Sequence, residues 1–96
     1  MARNRYLVTY DVTDDRRRTK LFNRMKDFGD RVQFSVFSCD LNGKELVALR
    51  ASITKVIHHG SDQVLVVNLG PVDGRSDARV ETLGRPLDVE VRTLII

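Results

Sequence analysis

The sequence predicts an α+β fold in which two helices cover one face of an antiparallel sheet. Two amphipathic stretches with helical spacing alternate with short runs of β-branched and aromatic residues. The chain has 96 residues, the length of one domain, and we expect residues 1–96 to form it. Its apolar fraction of 42% is ordinary for a globular chain and too high for a disordered one.

The first strand and the first helix follow each other closely. Residues 5–12 are rich in β-branched and aromatic types and predict a buried strand that ends near Asp11. Thr13 and Asp14 are both good helix N-caps, and the pattern predicts a helix over residues 14–28, with Gly29 as the C′ glycine that ends it. The apolar stripe of this helix recurs at three- and four-residue spacing and consists of Leu21, Phe22, Met25 and Phe28.

Residues 31–41 return to a period of two, as one long strand or as two short strands joined by a tight bend. Alternation places Val32, Phe34 and Val36 on one face of the strand. It places Phe37 on the other, polar face, where it breaks the pattern. At such a position Phe37 either stacks on a nucleobase or covers a subunit interface, and the interface is the preferred interpretation.

The second half repeats the alternation of helix and strand. Asn42-Gly43 is a turn signal. An apolar stripe with helical spacing predicts a second helix over residues 44–58, and residues 63–69 predict another buried strand. Residues 73–79 read as a loop and residues 80–83 as weakly strand-like. The last segment, residues 89–96, predicts a strand with an apolar tip.

This order, β-α-β-(β)-α-β, indicates a ferredoxin-like sandwich with an extra C-terminal strand. An apolar end such as Leu94-Ile95-Ile96 is an aggregation hazard on an open edge. We therefore expect residues 80–96 to pair with the sheet of a second subunit in a two-fold homodimer. The alternative is a strand that extends its own sheet.

Composition excludes several classes of protein. No run of about 18 apolar residues is present, so we expect no membrane span and no membrane partner. The N-terminus does not resemble a signal peptide. A single cysteine, Cys39, excludes an intrachain disulfide and a cysteine-cluster zinc site, which favours a cytoplasmic location.

The positive charge is concentrated in the first third of the chain. Residues 1–31 hold nine basic and five acidic side chains, a net charge of +4, whereas residues 32–96 carry −1. This asymmetry suggests a face that binds a polyanion, and a solvated surface is the competing explanation.

Asp11 and a run of basic residues meet where the first strand leads into the first helix. A carboxylate at a strand end can bind Mg²⁺, and two copies across a two-fold axis would make a better site than one. Spacing alone favours a capping or solvated aspartate. The first turns of the helix carry the candidate phosphate-binding residues, which are Arg16, Arg17, Arg18 and Lys20. These side chains cannot all lie on one face of the helix. The alternative to phosphate binding is a helix surface on which Arg18 forms salt bridges with Asp14 and Asp15.

The sequence gives weaker support to base stacking by tyrosines and to catalysis by histidine or cysteine. Tyr6 and Tyr10 alternate with apolar neighbours, which is more typical of core positions than of base-stacking ones. His58 and His59 lie where a histidine more often interacts with a helix dipole than acts as a general base. Cys39 has no activating partner near it in the sequence.

Three segments resemble one known family. Residues 10–15 (YDVTDD), 16–20 (RRRTK) and 29–37 (GDRVQFSVF) are similar to the small CRISPR-associated protein two of the adaptation machinery. The resemblance covers essentially the whole chain. It implies a ferredoxin-like homodimer with exchanged C-terminal strands and a metal-dependent endonuclease, often labelled an endoribonuclease, that acts on single-stranded RNA or double-stranded DNA. It also implies a CRISPR integrase as partner.

The resemblance further implies a site. Asp11 would be the metal ligand, with the Mg²⁺ or another divalent cation shared between the two Asp11 of a dimer. Tyr10, Arg18, Arg31 and Phe37 would complete the catalytic set, and Lys20 stands where some members have arginine. Two hypotheses follow: a metal-dependent nuclease, and a non-catalytic scaffold that presents a basic surface to DNA and bridges integrase subunits.

Overall fold

Two helices pack on one side of a four-stranded antiparallel sheet. The computed structural model describes residues 2–74 and 81–85. Its strands run in the order β2-β3-β1-β4, and all three neighbouring pairs are antiparallel, as the ferredoxin-like prediction requires. The elements are β1 (Asn4–Asp11), α1 (Asp15–Met25), β2 (Asp30–Gln33), β3 (Val36–Leu41), α2 (Gly43–Thr54) and β4 (Gln63–Pro71).

The hydrophobic core lies between the helices and one face of the sheet. In β1 every second side chain is buried, and these are Tyr6, Val8 and Tyr10. The helices contribute Leu21 and Met25 from α1 and Leu49 and Ile53 from α2. Full burial of a large apolar side chain stabilises the fold by about 1.5–3 kcal/mol, so these few residues hold both helices on the sheet.

Side chains cap both helices at their N-termini. The carboxylate of Asp14, one of the two predicted caps of α1, accepts a hydrogen bond from the backbone N–H of Arg17 at 2.9 Å. Asn42 and Glu45 form a reciprocal capping box at the start of α2. Asn42-Gly43 is therefore a helix start rather than a free-standing turn, because the asparagine side chain satisfies a backbone donor of the new helix.

Gly29 follows α1 for a reason other than the one predicted. Among the described residues only Gly70 and Gly84 have a positive φ, so Gly29 is not a left-handed C′ glycine. A Cβ at this position would collide with the backbone oxygen of Ser38 and lie 2.6 Å from Sγ of Cys39. The helix ends at Met25, and Gly29 lets the chain cross closely over β3.

Residues 31–41 form two strands, and the bend between them changes which side chains are buried. Phe34 and Ser35 occupy the turn, and the ladder of β2 with β3 shifts between Arg31 and Gln33. The prediction that Phe37 lies on the polar face is wrong: Phe37 has no exposed surface, whereas Phe34 is 72% exposed. A period of two does not persist through a bend and a register shift.

β4 is only partly buried, contrary to the prediction for residues 63–69. Leu65 and Val67 are 52% and 44% exposed, because β4 lies at the edge of the described sheet and these two side chains point away from the helices. Residues 81–83 form no strand. The predicted C-terminal strand, residues 89–96, lies outside the described residues, as does most of the region expected to pair with a partner. No helix in the described part of the chain has the length and apolar character needed to cross a membrane.

Candidate functional site

A pocket of about 250 Å³ opens between α1 and the turn that joins β2 to β3. It brings together three of the predicted site residues, Tyr10 from β1, Arg18 from α1 and Arg31 from β2. The remaining residues that line it are Thr19, Phe22 and Phe34. Residues distant in sequence thus converge on a small concave surface with two guanidinium groups.

Phe37 forms the buried support of this pocket. Its ring centroid lies 6.3 Å from that of Tyr10 and 5.8 Å from that of Phe22. Because Phe37 is fully buried within one chain, neither base stacking nor cover of a subunit interface is open to it. Any influence on the pocket passes through the two rings that it positions.

Two positive charges lie against the ring of Phe22, and one of them belongs to the pocket residue Arg31. The guanidinium carbon of Arg31 is 5.1 Å from the centroid of Phe22, and Lys26 Nζ is 5.0 Å from the same centroid. Arg31 makes no ion pair with any residue that the structure describes. Burial raises the pKa of Tyr10, and the charges of Arg31 and Arg18 act against this rise. The phenol therefore keeps its proton at neutral pH and can donate a hydrogen bond into the pocket.

Arg18 points back towards the end of β1. Its Nη1 donates to the carbonyl oxygens of Val12 at 3.0 Å and Thr13 at 3.4 Å, and its Nη2 pairs with the carboxylate of Asp15. These three bonds leave two of the five guanidinium N–H donors for a ligand. Arg18 is thus held in place by its own chain while keeping donors free.

Arg17 stabilises the fold through an ion pair with Asp62. Its Nε donates to Asp62 Oδ2 at 2.7 Å and its Nη2 donates to Asp62 Oδ1 at 3.2 Å. The Asp62 side chain is inaccessible to solvent and also accepts the backbone N–H of His58 at 2.7 Å. The hydrogen bonds from Arg17 and then from His58 lower the pKa of Asp62. This pair ties the start of α1 to the start of β4, which sequence spacing alone does not reveal.

The other candidates differ in their surroundings. Arg16 and Lys20 are exposed and form no ion pair with the described residues, so their charges are available to a partner. The ring of His58 contacts its own turn, with Nδ1 3.2 Å from the backbone nitrogen of Gly60 and 3.0 Å from Ser61 Oγ. This local bonding accounts for His58 without a catalytic role.

Asp11 lies beside the pocket residues in sequence but is not one of the residues that line the pocket. It is the last residue of β1, is exposed, and stands opposite Gln63 of β4. Successive strand residues project to opposite faces, so Asp11 points away from the helix side where Tyr10 is buried. Within residues 2–74 and 81–85, no three acidic, histidine or cysteine side chains are grouped as a metal site would require.

The face of the sheet that carries Asp11 is open and partly apolar. The register of β1 with β4 places Leu7 opposite Val67 and Thr9 opposite Leu65, on the same side as Asp11. No described helix packs on this face. Sequence reasoning missed this apolar strip because it treated the whole of β4 as buried.

Comparisons with known proteins agree with the fold and with the resemblance. A family model described as "CRISPR associated protein Cas2" matches residues 4–74. A CRISPR-associated endoribonuclease Cas2 of Geobacter sulfurreducens is 34% identical over 91 residues and covers 95% of each chain. A second relative, endoribonuclease Cas2 1 of Rhodospirillum rubrum, is 36% identical over 95 residues, covering 99% of this chain and 92% of its own.

Solved structures give the same result. A hypothetical protein from Thermus thermophilus superposes with a TM-score of 0.75 at 39% identity and covers 92% of this chain and 99% of its own. Streptococcus pyogenes Cas2 at pH 6.5 superposes with a TM-score of 0.73 at 34% identity and covers 83% of this chain and 99% of its own. The chain therefore belongs to the Cas2 family of CRISPR-associated nucleases.

Proposed function

We propose that this chain acts in CRISPR adaptation as an endonuclease that hydrolyses phosphodiester bonds in single-stranded RNA or double-stranded DNA. Relatives named endoribonucleases, and one from Thermus thermophilus named an endonuclease, support the reaction class. The structural observation that carries the proposal is the pocket in which Tyr10, Arg18 and Arg31 converge at the end of the strand that Asp11 terminates.

In this proposal the two arginines hold phosphates of the bound strand. Arg31 has no competing carboxylate in the described structure, and Arg18 keeps two free N–H donors, so both can donate to phosphate oxygens. The protonated Tyr10 hydroxyl can donate a further hydrogen bond. Phe37 keeps Tyr10 in position from below.

A divalent cation fits this chain only if two subunits share it. Asp11 offers one exposed carboxylate, a hard oxygen donor of the kind that Mg²⁺ binds, and within the described chain it does not belong to any group of three or more acidic, histidine or cysteine side chains. We therefore propose that the Asp11 residues of two subunits hold Mg²⁺ or another divalent cation together. When bound, the cation would supply an activated water and stabilise negative charge on the phosphate.

We propose a homodimer in which the open sheet faces of two copies meet. The exposed Leu65 and Val67 on the same face as Asp11 support it, because covering them removes apolar surface from water. Leu65→Asp should convert the dimer to a monomer in light scattering, whereas Val47→Asp, at an exposed valine of α2, should not. A dimer that persists in Leu65→Asp would exclude this interface.

Cleavage by purified variants tests the nuclease proposal. With Mg²⁺ present, Asp11→Ala and Asp11→Asn should lose cleavage of RNA and of duplex DNA. The matched control Asp27→Ala, which changes an exposed aspartate of the turn after α1, should keep it. Full cleavage by Asp11→Ala would point to a contaminating nuclease and refute the proposal.

A second candidate function is a non-catalytic scaffold that bridges subunits of a CRISPR integrase on duplex DNA. It is favoured by the separation of Asp11 from the arginine pocket and by the unpaired charges of Arg16 and Lys20. Arg16→Glu with Lys20→Glu should weaken DNA binding and lower its salt dependence without disturbing the Arg17–Asp62 pair. Spacer acquisition that survives Asp11→Ala but not this double change would favour the scaffold, and dependence of acquisition on Asp11 would refute it.

We assign either activity to the cytoplasm. The free, buried thiol of Cys39 supports a reducing compartment.

A further inference from the structure

We propose that Phe34 is a stacking platform for one unpaired nucleobase, whose neighbouring phosphate is held by Arg18 and Arg31. This inference rests on the proposed binding of nucleic acid and adds a residue and a strand requirement to it. Phe34 lies in the turn between β2 and β3 and lines the pocket.

The residues around Phe34 indicate that its exposed ring serves ligand binding. The side chain is 72% exposed, and an isolated exposed apolar residue is ordinary on a protein surface. Phe34, however, lies at the rim of a pocket that also holds two guanidinium groups. An apolar plane beside two cations complements a nucleotide, which has a flat base next to an anionic phosphate.

The backbone fixes the point from which this side chain projects. The backbone N–H of Tyr10 donates to the carbonyl oxygen of Ser35 at 3.1 Å, which fastens the turn to β1. Arg31 precedes the same turn on β2 and is in register with the buried Phe37 of β3. The platform and one of the phosphate donors are therefore carried by a single hairpin, and little ordering is needed when a ligand binds.

Size and geometry favour an unpaired base. The pocket of about 250 Å³ is smaller than the roughly 300 Å³ at which sites for drug-sized ligands begin, so it has room for one planar group. Bases inside a duplex already stack on both faces. An unpaired base has a face free for a protein ring, whereas a base inside a duplex has none. Phe34 is thus expected to select single-stranded segments or frayed ends over closed duplex.

Binding measured without divalent cation, so that no cleavage occurs, tests this proposal. The probes are a short single-stranded oligonucleotide, an abasic strand of the same length and a blunt duplex. Phe34→Ala should weaken binding of the single strand by about fivefold to tenfold, the lower part of the range for loss of one stacked base. Phe34→Trp should restore it, and Val47→Ala, at an exposed valine outside the pocket, should bind as wild type does.

The abasic strand and the duplex separate stacking from a general loss of affinity. Wild type and Phe34→Ala should bind each of these two probes equally, with the same salt dependence, because Arg18 and Arg31 are unchanged. Wild-type affinity of Phe34→Ala for the single strand, or an equal loss on all three probes, would overturn the proposal while leaving the proposed function intact. If wild type binds none of the probes, the proposed function fails as well.

Discussion

Replacing Phe37 decides whether this residue acts as a buried support or as a surface group of the site. Phe37 is fully buried, and its ring packs on Tyr10 and Phe22. Phe37→Ala removes a large side chain from a closed core, which typically lowers the free energy of unfolding by about 3–5 kcal/mol. Domains of this size are stable by only about 5–15 kcal/mol, so the loss is a large share of the total.

Phe37→Leu is the informative companion. Leucine keeps much of the apolar volume but loses two aromatic contacts, each worth about 0.5–1.5 kcal/mol beyond burial. We expect a decrease in the free energy of unfolding of about 1–3 kcal/mol for Phe37→Leu. At about 4–8 °C per kcal/mol in a domain of this length, Phe37→Ala should lower Tm by about 12–40 °C.

Urea unfolding and nucleic-acid binding measured on the same preparations make the test. Well below its Tm, Phe37→Leu should bind nucleic acid nearly as wild type does, since the ring does not reach the pocket surface. The exposed-site control Val47→Ala should change the free energy of unfolding by less than about 0.5 kcal/mol. If Phe37→Leu abolished binding while both Phe37 variants kept wild-type stability, Phe37 would be a surface residue and the structural reasoning would be refuted.

Three further predictions concern other parts of the core and the helix starts. The hydrogen bond from Arg3 lowers the pKa of Glu45 from 4.5 to about 2; the resulting stabilisation is present above about pH 4.5 and is lost as pH falls towards 2. Tm measured across this range should fall more steeply for wild type than for Glu45→Gln, and identical slopes would contradict the assignment. Burial raises the pKa of Cys39 to about 12, so a thiol reagent should label it only after denaturation, and rapid labelling of native protein would show that the core is open. Gly29→Ala should lower the free energy of unfolding by about 1–3 kcal/mol because of its collision with β3, while Gly43→Ala, which has open space at its Cβ, should not; equal stability of the two variants would refute the close approach.

Both helices and strands β1 and β4 followed from the sequence because the hydrophobic period and capping residues act locally, whereas the number of strands in residues 31–41 stayed open. The buried stripe of α1, including Leu21 and Met25, is a direct result of helical spacing. The burial of Phe37 did not follow, since two turn residues and a register shift interrupt the alternation just before it. The role of Gly29 was equally hidden, because it depends on how closely β3 passes.

The candidate site was predictable to the extent that its residues lie in recognisable strings. Tyr10, Arg18 and Arg31 came from the resemblance, and the structure brings them to one pocket. Assignment of Arg17 to the fold required its contact with Asp62, which is 45 residues away. Phe34 was assigned with Val32 and Val36 to one face of a strand, because alternation alone does not reveal that the chain turns at residues 34 and 35.

The hydrogen bond that anchors the β2–β3 turn determines which of its positions can be substituted without moving the backbone. The bond that holds the turn joins two backbone groups, the N–H of Tyr10 and the carbonyl of Ser35, and neither depends on the side chain at position 34. Position 34 can therefore change its chemistry without changing its place in space. A substitution at position 34 can therefore change which ligand the hairpin tip binds, while the core and the nearby arginines stay the same.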